Sequence, residues 1–235
     1  MTRTVVVTQS NYIPWRGYFD MIRQADELIL LDSVQYTRRD WRNRNMIRAE
    51  AGPTWLTIPV SGAGRPEQSI DEVRPVDSGW SVSHAKTIAR HYRKARAYDA
   101  VAPWLFDQMA EAAALPFLSD SNEYLLQGIF GRLGISTPMR RCTEVLDRDD
   151  LRRMDASARL ARLCAAVGGD RYLTGPAAAG YLDAKAFEDL GIEIVWMSYN
   201  GYRPYPQCWP GFEPKVSIVD LLLNCGDGAA EFLGR

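Results

Sequence analysis

The sequence predicts an α/β fold built on a mainly parallel sheet, and two passages of the chain carry the prediction. Near the N-terminus a β-branched run, Val5-Val6-Val7-Thr8, leads through an irregular loop and a short helical pattern to a second apolar run, Leu28-Ile29-Leu30-Leu31, which ends in Asp32. Towards the C-terminus the same order returns, from Arg171-Tyr172-Leu173-Thr174 through a helical stretch to Ile192–Met197. Short apolar runs of this kind are strands covered on both faces, and a helix between consecutive strands implies parallel pairing. At 235 residues the chain suits one α/β core with a helical elaboration. The expected organisation is therefore a single domain over 1–235, with a helical lobe at about 79–134 between the sheet-forming segments.

The elements follow in order. Val5 to Thr8 is the first strand, and Gln9 to Gly17 holds a Pro and a Gly that break regular structure. Tyr18, Met21, Ile22 and Ala25 mark a helix, and Leu28 to Asp32 the second strand, adjacent to the first. A polar run rich in arginine reads as a loop, after which Trp55 to Val60 is a third strand stopped by Pro59. Ser61 to Pro66, with two Gly and a Pro, reads as a mobile loop, and Ile70 to Val76 as a short edge strand. From Ser78 the period becomes helical, with Trp80, His84, Ile88 and His91 on one stripe. Ala100 to Ala114 and Asn122 to Leu133 are two amphipathic helices, the second capped by Asp120 or Ser121 and ended by Gly134. Thr137 to Val145 is a strand, Asp147 to Arg153 an exposed connection and Ala156 to Val167 a helix. Ala179 to Leu190 is expected as a helix with Tyr181 turned inward, closed by Gly191. Asn200 to Pro214 combines prolines with aromatics, which either seal one end of the core or form a lid, and Val216 to Asn224 is the last helix.

The strand order places Gln9, Asn11 and Trp15 at the carboxyl end of the first strand and Asp32 at the end of the second, the edge where open α/β sheets bind ligands. Straight after Asp32 come Arg38, Arg39, Arg42, Arg44 and Arg48, interleaved with Tyr36, Trp41, Asn43 and Asn45. Guanidinium groups take phosphate or carboxylate through paired hydrogen bonds, and amides and aromatics orient what is held. The run is either a solvated basic loop or a site for an anionic small molecule, nucleotide-linked in the second case. His84 is the side chain of the helical stripe suited to moving a proton. Asp220 lies in a helix that is otherwise apolar, so a cation is expected opposite it, an arginine of the 38–48 run.

Composition sets limits. Lys and Arg total 28 against 29 for Asp and Glu, a net charge of −1. A tRNA-binding protein would carry more basic surface. Four cysteines without a C-x-x-C pair, and two histidines, argue for free thiols in a reducing compartment rather than a disulfide framework or a metal site. No apolar stretch approaches the roughly 20 residues that span a bilayer, and a soluble cytoplasmic protein is expected.

The blocks QSNYIPWRGYF, LDSVQYTRRDWRNRN, WLTIPV, the stretch Trp80/His84/Tyr92/Lys94, YLTGPAAAGYLD and YPQCWPGFEPKVSIVDLLLNCG resemble successive blocks of the WbqC-like family, colinear from residue 5 to residue 226. Ser10 departs from the family, which usually has Pro there. The resemblance implies a place in bacterial O-antigen and related sugar biosynthesis, with transfer of glycine to an amino sugar. It favours a functional role for His84 over His91. Tyr18, Gln35, Asn45, Tyr181 and Gln207 lie in the matched blocks and join Gln9, Asn11, Trp15, Arg42, Asn43, Arg44 and Asp220 in the implied substrate-binding set, with His84 and Asp32 as catalytic candidates. The opening strand, loop and helix are also similar to the nucleotidyltransferase-like Rossmann fold, which makes the expected sheet Rossmann-like. Its H-x-G-H signature is replaced here by Trp15-Arg16-Gly17-Tyr18, so its adenylyl chemistry does not carry over.

These readings converge on an enzyme that transfers an acyl group, glycyl or another aminoacyl, to the amine of a nucleotide-linked sugar. Arg42 and Arg44 would hold phosphates, Gln9, Asn11 and Asn43 would orient polar groups, and His84 or Asp32 would take the proton. The donor is open between aminoacyl-tRNA, a carrier-protein thioester and an ATP-activated acid, and the cofactor is not identified. The alternative is a non-catalytic nucleotide- or sugar-binding accessory protein with the same arginine patch.

Overall fold

A computed structural model describes residues 2–61 and 67–234. It divides into two compact units, one made of Met1–Ser10, Asp20–Val34 and Ile135–Asn200, the other of Asn11–Phe19, Gln35–Gly134 and Gly201–Arg235.

The first unit holds a five-stranded, all-parallel sheet. Its strands are β1 (Thr4–Thr8), β2 (Glu27–Leu30), β7 (Met139–Arg141), β8 (Arg171–Thr174) and β9 (Glu193–Trp196), in the order β7-β2-β1-β8-β9. The sheet grows outward from β1 on one side and then on the other, the Rossmann-like pattern, with its switch point between β1 and β8. The β-branched runs work as expected, because alternate residues bury on opposite faces. Val5, Val7 and Ile29 pack with Leu163 and Cys164 of α6 (Ala156–Ala166), while Val6 and Leu28 are equally buried. After α6 the chain passes so close to β1 that a Cβ at Gly169 would meet Cys164 Sγ at 2.6 Å and Val5 Cγ2 at 2.7 Å. At the start of β2 the buried Glu27 carboxylate pairs with the guanidiniums of Arg3 and Arg140.

Two expectations in this unit are corrected. The stretch after Asp147 is a helix, α5 (Arg148–Arg153), because the Asp147 side chain accepts from the N–H groups of Asp149 and Asp150, and Leu151 is buried in the core. Ala179 to Leu190 is not one helix but a 3-10 turn, Pro176–Gly180, then α7 (Lys185–Glu188). The Asp183 carboxylate accepts from the Lys185 N–H at 3.0 Å and starts a new helix there, which leaves Tyr181 72% exposed instead of inward.

The second unit is built on a hairpin, β3 (Arg44–Ala49) with β4 (Gly52–Thr57), beside a two-residue pairing of β5 (Val60–Ser61) with β6 (Arg74–Pro75). Packed in series are α2 (Gly79–Tyr92), α3 (Tyr98–Ala113) and α4 (Leu118–Leu133), with α8 (Ile218–Cys225) against α3. α1 (Arg16–Arg23), whose residues up to Phe19 are counted in this unit, starts after the Pro14 loop, and Gly17 is required there because a Cβ would meet the Trp15 indole at 2.3 Å.

Here too the structure departs from the sequence reading. Arg44 is in a strand, not a loop, since Asn45, Ile47 and Ala49 alternate inward. The expected edge strand at 70–76 is a 3-10 turn, Ile70–Glu72, followed by β6. α4 begins at Leu118, so Asp120 and Ser121 are inside it. The Ser121 hydroxyl, fully buried, donates to the Ala112 carbonyl at 2.8 Å rather than capping. Gly134 ends α4 with a φ of 66°, as expected. The stretch expected as a mobile loop lies, at 62–66, outside the described residues. Among the described residues no helix is long and apolar enough to cross a membrane.

Candidate functional site

In the second unit Gln35 bridges to Ser69, and the Tyr36 N–H donates to the Gln68 carbonyl at 2.8 Å. Asn43 is fastened to Ile58, with the Ile58 N–H donating to its carbonyl at 2.7 Å and its own Nδ2 donating to the Ile58 carbonyl at 2.8 Å. Between these pairings lies a cavity of about 240 Å³ lined by Tyr36, Arg38, Arg39, Asn43, Val60, Ser61 and Gln68. Asn43 Oδ1 is buried and has no hydrogen-bond partner among the described residues. Arg39 adopts a φ of 59°, a left-handed conformation that costs a non-glycine residue about 1–2 kcal/mol and that clusters at functional sites.

Among the described residues that line the cavity, the charged ones are Arg38 and Arg39. The buried Arg42 guanidinium donates to Asn11 Oδ1 and, at 3.3 Å, to Asp40 Oδ2, and the Asn122 amide donates to its carbonyl. Burial works against the Asp40 carboxylate, but bonds from the Thr37 hydroxyl and the Trp41 N–H, together with Arg42, outweigh it and hold its pKa below the usual range. Burial raises the pKa of the Tyr36 phenol and Asp40 adds to this, while Arg38, Arg42 and Arg44 act against them. Three guanidiniums are therefore close enough to be felt at one cavity-lining hydroxyl. The fourth, Arg39, lines the cavity itself. With Arg38 and Arg39 in its lining, the cavity suits an anion that also offers Asn43 Oδ1 a hydrogen-bond donor.

His84 is placed differently. Its Nε2 lies 3.1 Å from the Thr57 carbonyl, which can only accept, so Nε2 carries the proton and Nδ1 accepts from the Tyr12 hydroxyl at 2.8 Å. Burial pushes the imidazole pKa down to about 4, against a smaller opposing effect of the Thr57 bond, and raises that of Tyr12 well above 10. At neutral pH this is an uncharged pair with both ring nitrogens engaged.

Asp220, fully buried, accepts from the Tyr92 hydroxyl at 2.7 Å, the Tyr205 hydroxyl at 2.8 Å and Gln207 Nε2 at 2.8 Å. The expected arginine partner is replaced by these neutral donors, with Arg48 acting by charge from further away, and burial nevertheless raises the Asp220 pKa. Neutral groups suffice because three short donors to one carboxylate replace the water it has lost.

The remaining sequence candidates divide between the units. In the first, Gln9 is partly exposed at the end of β1, Tyr181 is exposed, and the buried Asp32 accepts from the Ser10 N–H at 2.9 Å, tying the ends of β1 and β2 together. In the second, Asn45 donates to the carbonyls of Tyr12 and Ile13, Trp15 bridges to Ser217, and Tyr18 is buried edge-on to Phe19. Gln207 belongs to the Asp220 network, and Asn11, Arg42, Asn43 and Arg44 gather near the cavity. Gln68 was not singled out from sequence. Only its long-range pairing with Tyr36 reveals it, and no local pattern encodes that.

Comparison with known proteins places the chain. The model of the WbqC-like protein family matches residues 9–232, and the chain belongs to that family. It is 41% identical over 231 residues to an uncharacterized protein of Mycobacterium tuberculosis (strain ATCC 25618 / H37Rv), covering 98% of this chain and 97% of that protein. No solved structure matches the chain.

Proposed function

We propose that this member of the WbqC-like family is a transferase that passes an acyl group, glycyl or another aminoacyl, to the amine of a nucleotide-linked sugar. The observation that carries the reading is the pairing, in one small cavity, of Arg38 and Arg39 with Asn43 Oδ1, which has no partner among the described residues. A phosphate satisfies the guanidiniums, and a hydroxyl or amine N–H on the same molecule satisfies the amide oxygen. A sugar phosphate offers both. Arg42 and Arg44 add positive charge around the cavity, and Asn11 holds Arg42 in place.

In the reaction the amine nitrogen bonds to the acyl carbon, the bond from that carbon to the donor's oxygen or sulfur breaks, and the amine gives up one proton. Asp32 and His84 remain the proposed acceptors of that proton. For His84 the Tyr12 hydrogen bond must first open, since Nδ1 is the nitrogen with the lone pair. That same engagement of both nitrogens favours a second reading, in which the protein binds the nucleotide sugar for a partner enzyme and catalyses nothing.

The test is incubation of the pure protein with amino-sugar nucleotides and each donor class, aminoacyl-tRNA, acyl carrier thioester and acid with ATP, followed by mass spectrometry of the sugar nucleotide. Addition of one acyl group that is lost in His84→Ala or Asp32→Ala supports transfer. Tight binding without product in every combination supports the accessory reading, and absence of both binding and product removes the nucleotide-sugar assignment.

A further inference from the structure

The cavity is too small for the whole of the proposed ligand. Pockets that bury a drug-sized molecule run to roughly 300–1,000 Å³, whereas this one holds about 240 Å³, room for a phosphate and part of a sugar. If the phosphate sits there, the base must lie outside.

The solvent face of the β3–β4 hairpin has an unusual composition. Trp41 and Trp55 are 44% and 43% exposed, and their rings meet at a centroid separation of 5.6 Å with planes 34° apart. The Arg44 guanidinium lies 3.6 Å over the Trp55 ring. Fold alone does not call for two half-exposed indoles side by side, since burying them inside would release more water-exposed apolar surface. The hairpin explains how they arise: Met46 on β3 is opposite Trp55 on β4, with Arg44 one outward position away, so Arg44 and Trp55 share the solvent face while Asn45 and Leu56 share the buried one. The link to the cavity is Arg44, which covers Trp55 and also acts by charge on the Tyr36 hydroxyl that lines the cavity, while Trp41 follows Asp40, the carboxylate that accepts from Arg42.

We propose that Trp41, Trp55 and Arg44 form a stacking platform for the nucleobase of the ligand whose phosphate occupies the Arg38/Arg39/Asn43 cavity. The proposal rests on the phosphate reading above and adds the class of group recognised beyond it. Every nucleobase offers a planar π-face to an indole and to a flat guanidinium. A sugar ring can also pack its C–H face on an indole but needs hydrogen-bond partners for its hydroxyls, and the outward positions of the hairpin, Arg44, Met46, Arg48, Pro53, Trp55 and Thr57, offer no amide or carboxylate side chain. Such a platform grips the base without reading its hydrogen-bonding edge, so discrimination among bases should be modest.

The experiment is titration calorimetry of the full chain with UMP, dTMP, CMP, GMP and AMP, and with ribose 5-phosphate as the base-free control. At least one nucleotide should bind roughly tenfold or more tighter than ribose 5-phosphate, the worth of one base on an aromatic side chain. Trp55→Ala and Trp41→Ala should each remove most of that advantage, Trp55→Phe should restore much of it, and ribose 5-phosphate binding should stay within about twofold of wild type. Nucleotides binding no better than ribose 5-phosphate, or not at all, would overturn the platform, as would alanine variants that weaken both ligands equally. If ribose 5-phosphate still binds in the first case, the cavity reading survives alone. If it does not bind but nucleotides do, in a manner that needs the two tryptophans, the platform stands and the cavity assignment falls.

Discussion

The buried imidazole of His84 gives the sharpest test of the second unit, because its electrostatics and its proposed chemistry pull in opposite directions. In the folded protein its pKa is pushed down from 6.5 to about 4 by burial, while in the unfolded chain it returns to 6.5. A group with a depressed folded pKa contributes stability that is present above the unfolded value and lost as pH falls through the folded one. Between pH 6.5 and about 4 the unfolded chain therefore binds a proton that the folded protein refuses. At about 1.36 kcal/mol per pH unit, the loss over that window is about 3 kcal/mol. His84→Gln keeps the pattern of one donor to Thr57 and one acceptor for Tyr12 but does not titrate. It should cost about 1 kcal/mol at pH 7, and the deficit should shrink and reverse as the pH approaches 4. Denaturant unfolding of both proteins at a series of pH values isolates this effect, since carboxylates common to both cancel. The chain has two histidines, so heteronuclear NMR can follow each imidazole directly, with His84 titrating near 4. A midpoint near 6.5, or a stability difference that does not change with pH, would refute the argument. It would also restore His84 as an ordinary general base, whose signature in turnover is a limb between pH 6 and 7 instead of near 4.

Three further outcomes are expected. Asp220→Ala strands the Tyr92 and Tyr205 hydroxyls in a buried place, at about 1–3 kcal/mol for each donor left without a partner, while Gln207 Nε2 keeps its bond to the Glu213 carbonyl; a thermal melt should show a large loss for alanine and a much smaller one for Asp220→Asn. Gly17→Ala drives a methyl group into the Trp15 indole and should destabilise by about 1–3 kcal/mol as other overpacked sites do, again read by melting. Arg44→Lys keeps the charge, so ribose 5-phosphate binding should stay within about twofold of wild type in calorimetry while the tightest-binding nucleotide loses roughly tenfold, one decade for about 1.4 kcal/mol, and stability should fall by about 0.5–1 kcal/mol through the lost contact with Trp55; unchanged nucleotide affinity would remove Arg44 from the platform.

What the sequence made legible follows from where each residue's partners lie. The parallel sheet could be read because Val5 to Val7 and Leu28 to Leu30 bury on both faces, and that requirement is written in each short run by itself. The strand Arg44–Ala49 could not, because one of its inward residues is Asn45, whose amide is satisfied by the carbonyls of Tyr12 and Ile13 more than thirty positions earlier. An inward Asn hides the apolar alternation on which strand reading depends. Asp220 misled in the same way, since nothing near it in the chain announces that two tyrosines and a glutamine will meet it in place of a cation. Tyr181 was expected inward because its helix was expected to be continuous, and a single carboxylate, Asp183, restarts the chain four residues too late for that. The site divides along the same line. The arginine run and Asn43 stood out by composition, whereas Gln68 entered through a backbone pairing with Tyr36 that has no local trace. Satisfied polar groups such as Asn45 and Asp220 belong to the fold, because every buried acceptor they carry has its donor within the chain. Asn43 differs: after its Nδ2 has bonded to Ile58, its Oδ1 is still buried and unanswered among the described residues, in a cavity lined by the exposed Arg38 and Arg39. A fold gains nothing from leaving an acceptor in that state. A ligand carrying both a phosphate and a hydrogen-bond donor would answer Asn43 Oδ1 while pairing with Arg38 and Arg39, which is why the cavity is read as a site and the buried networks as scaffold.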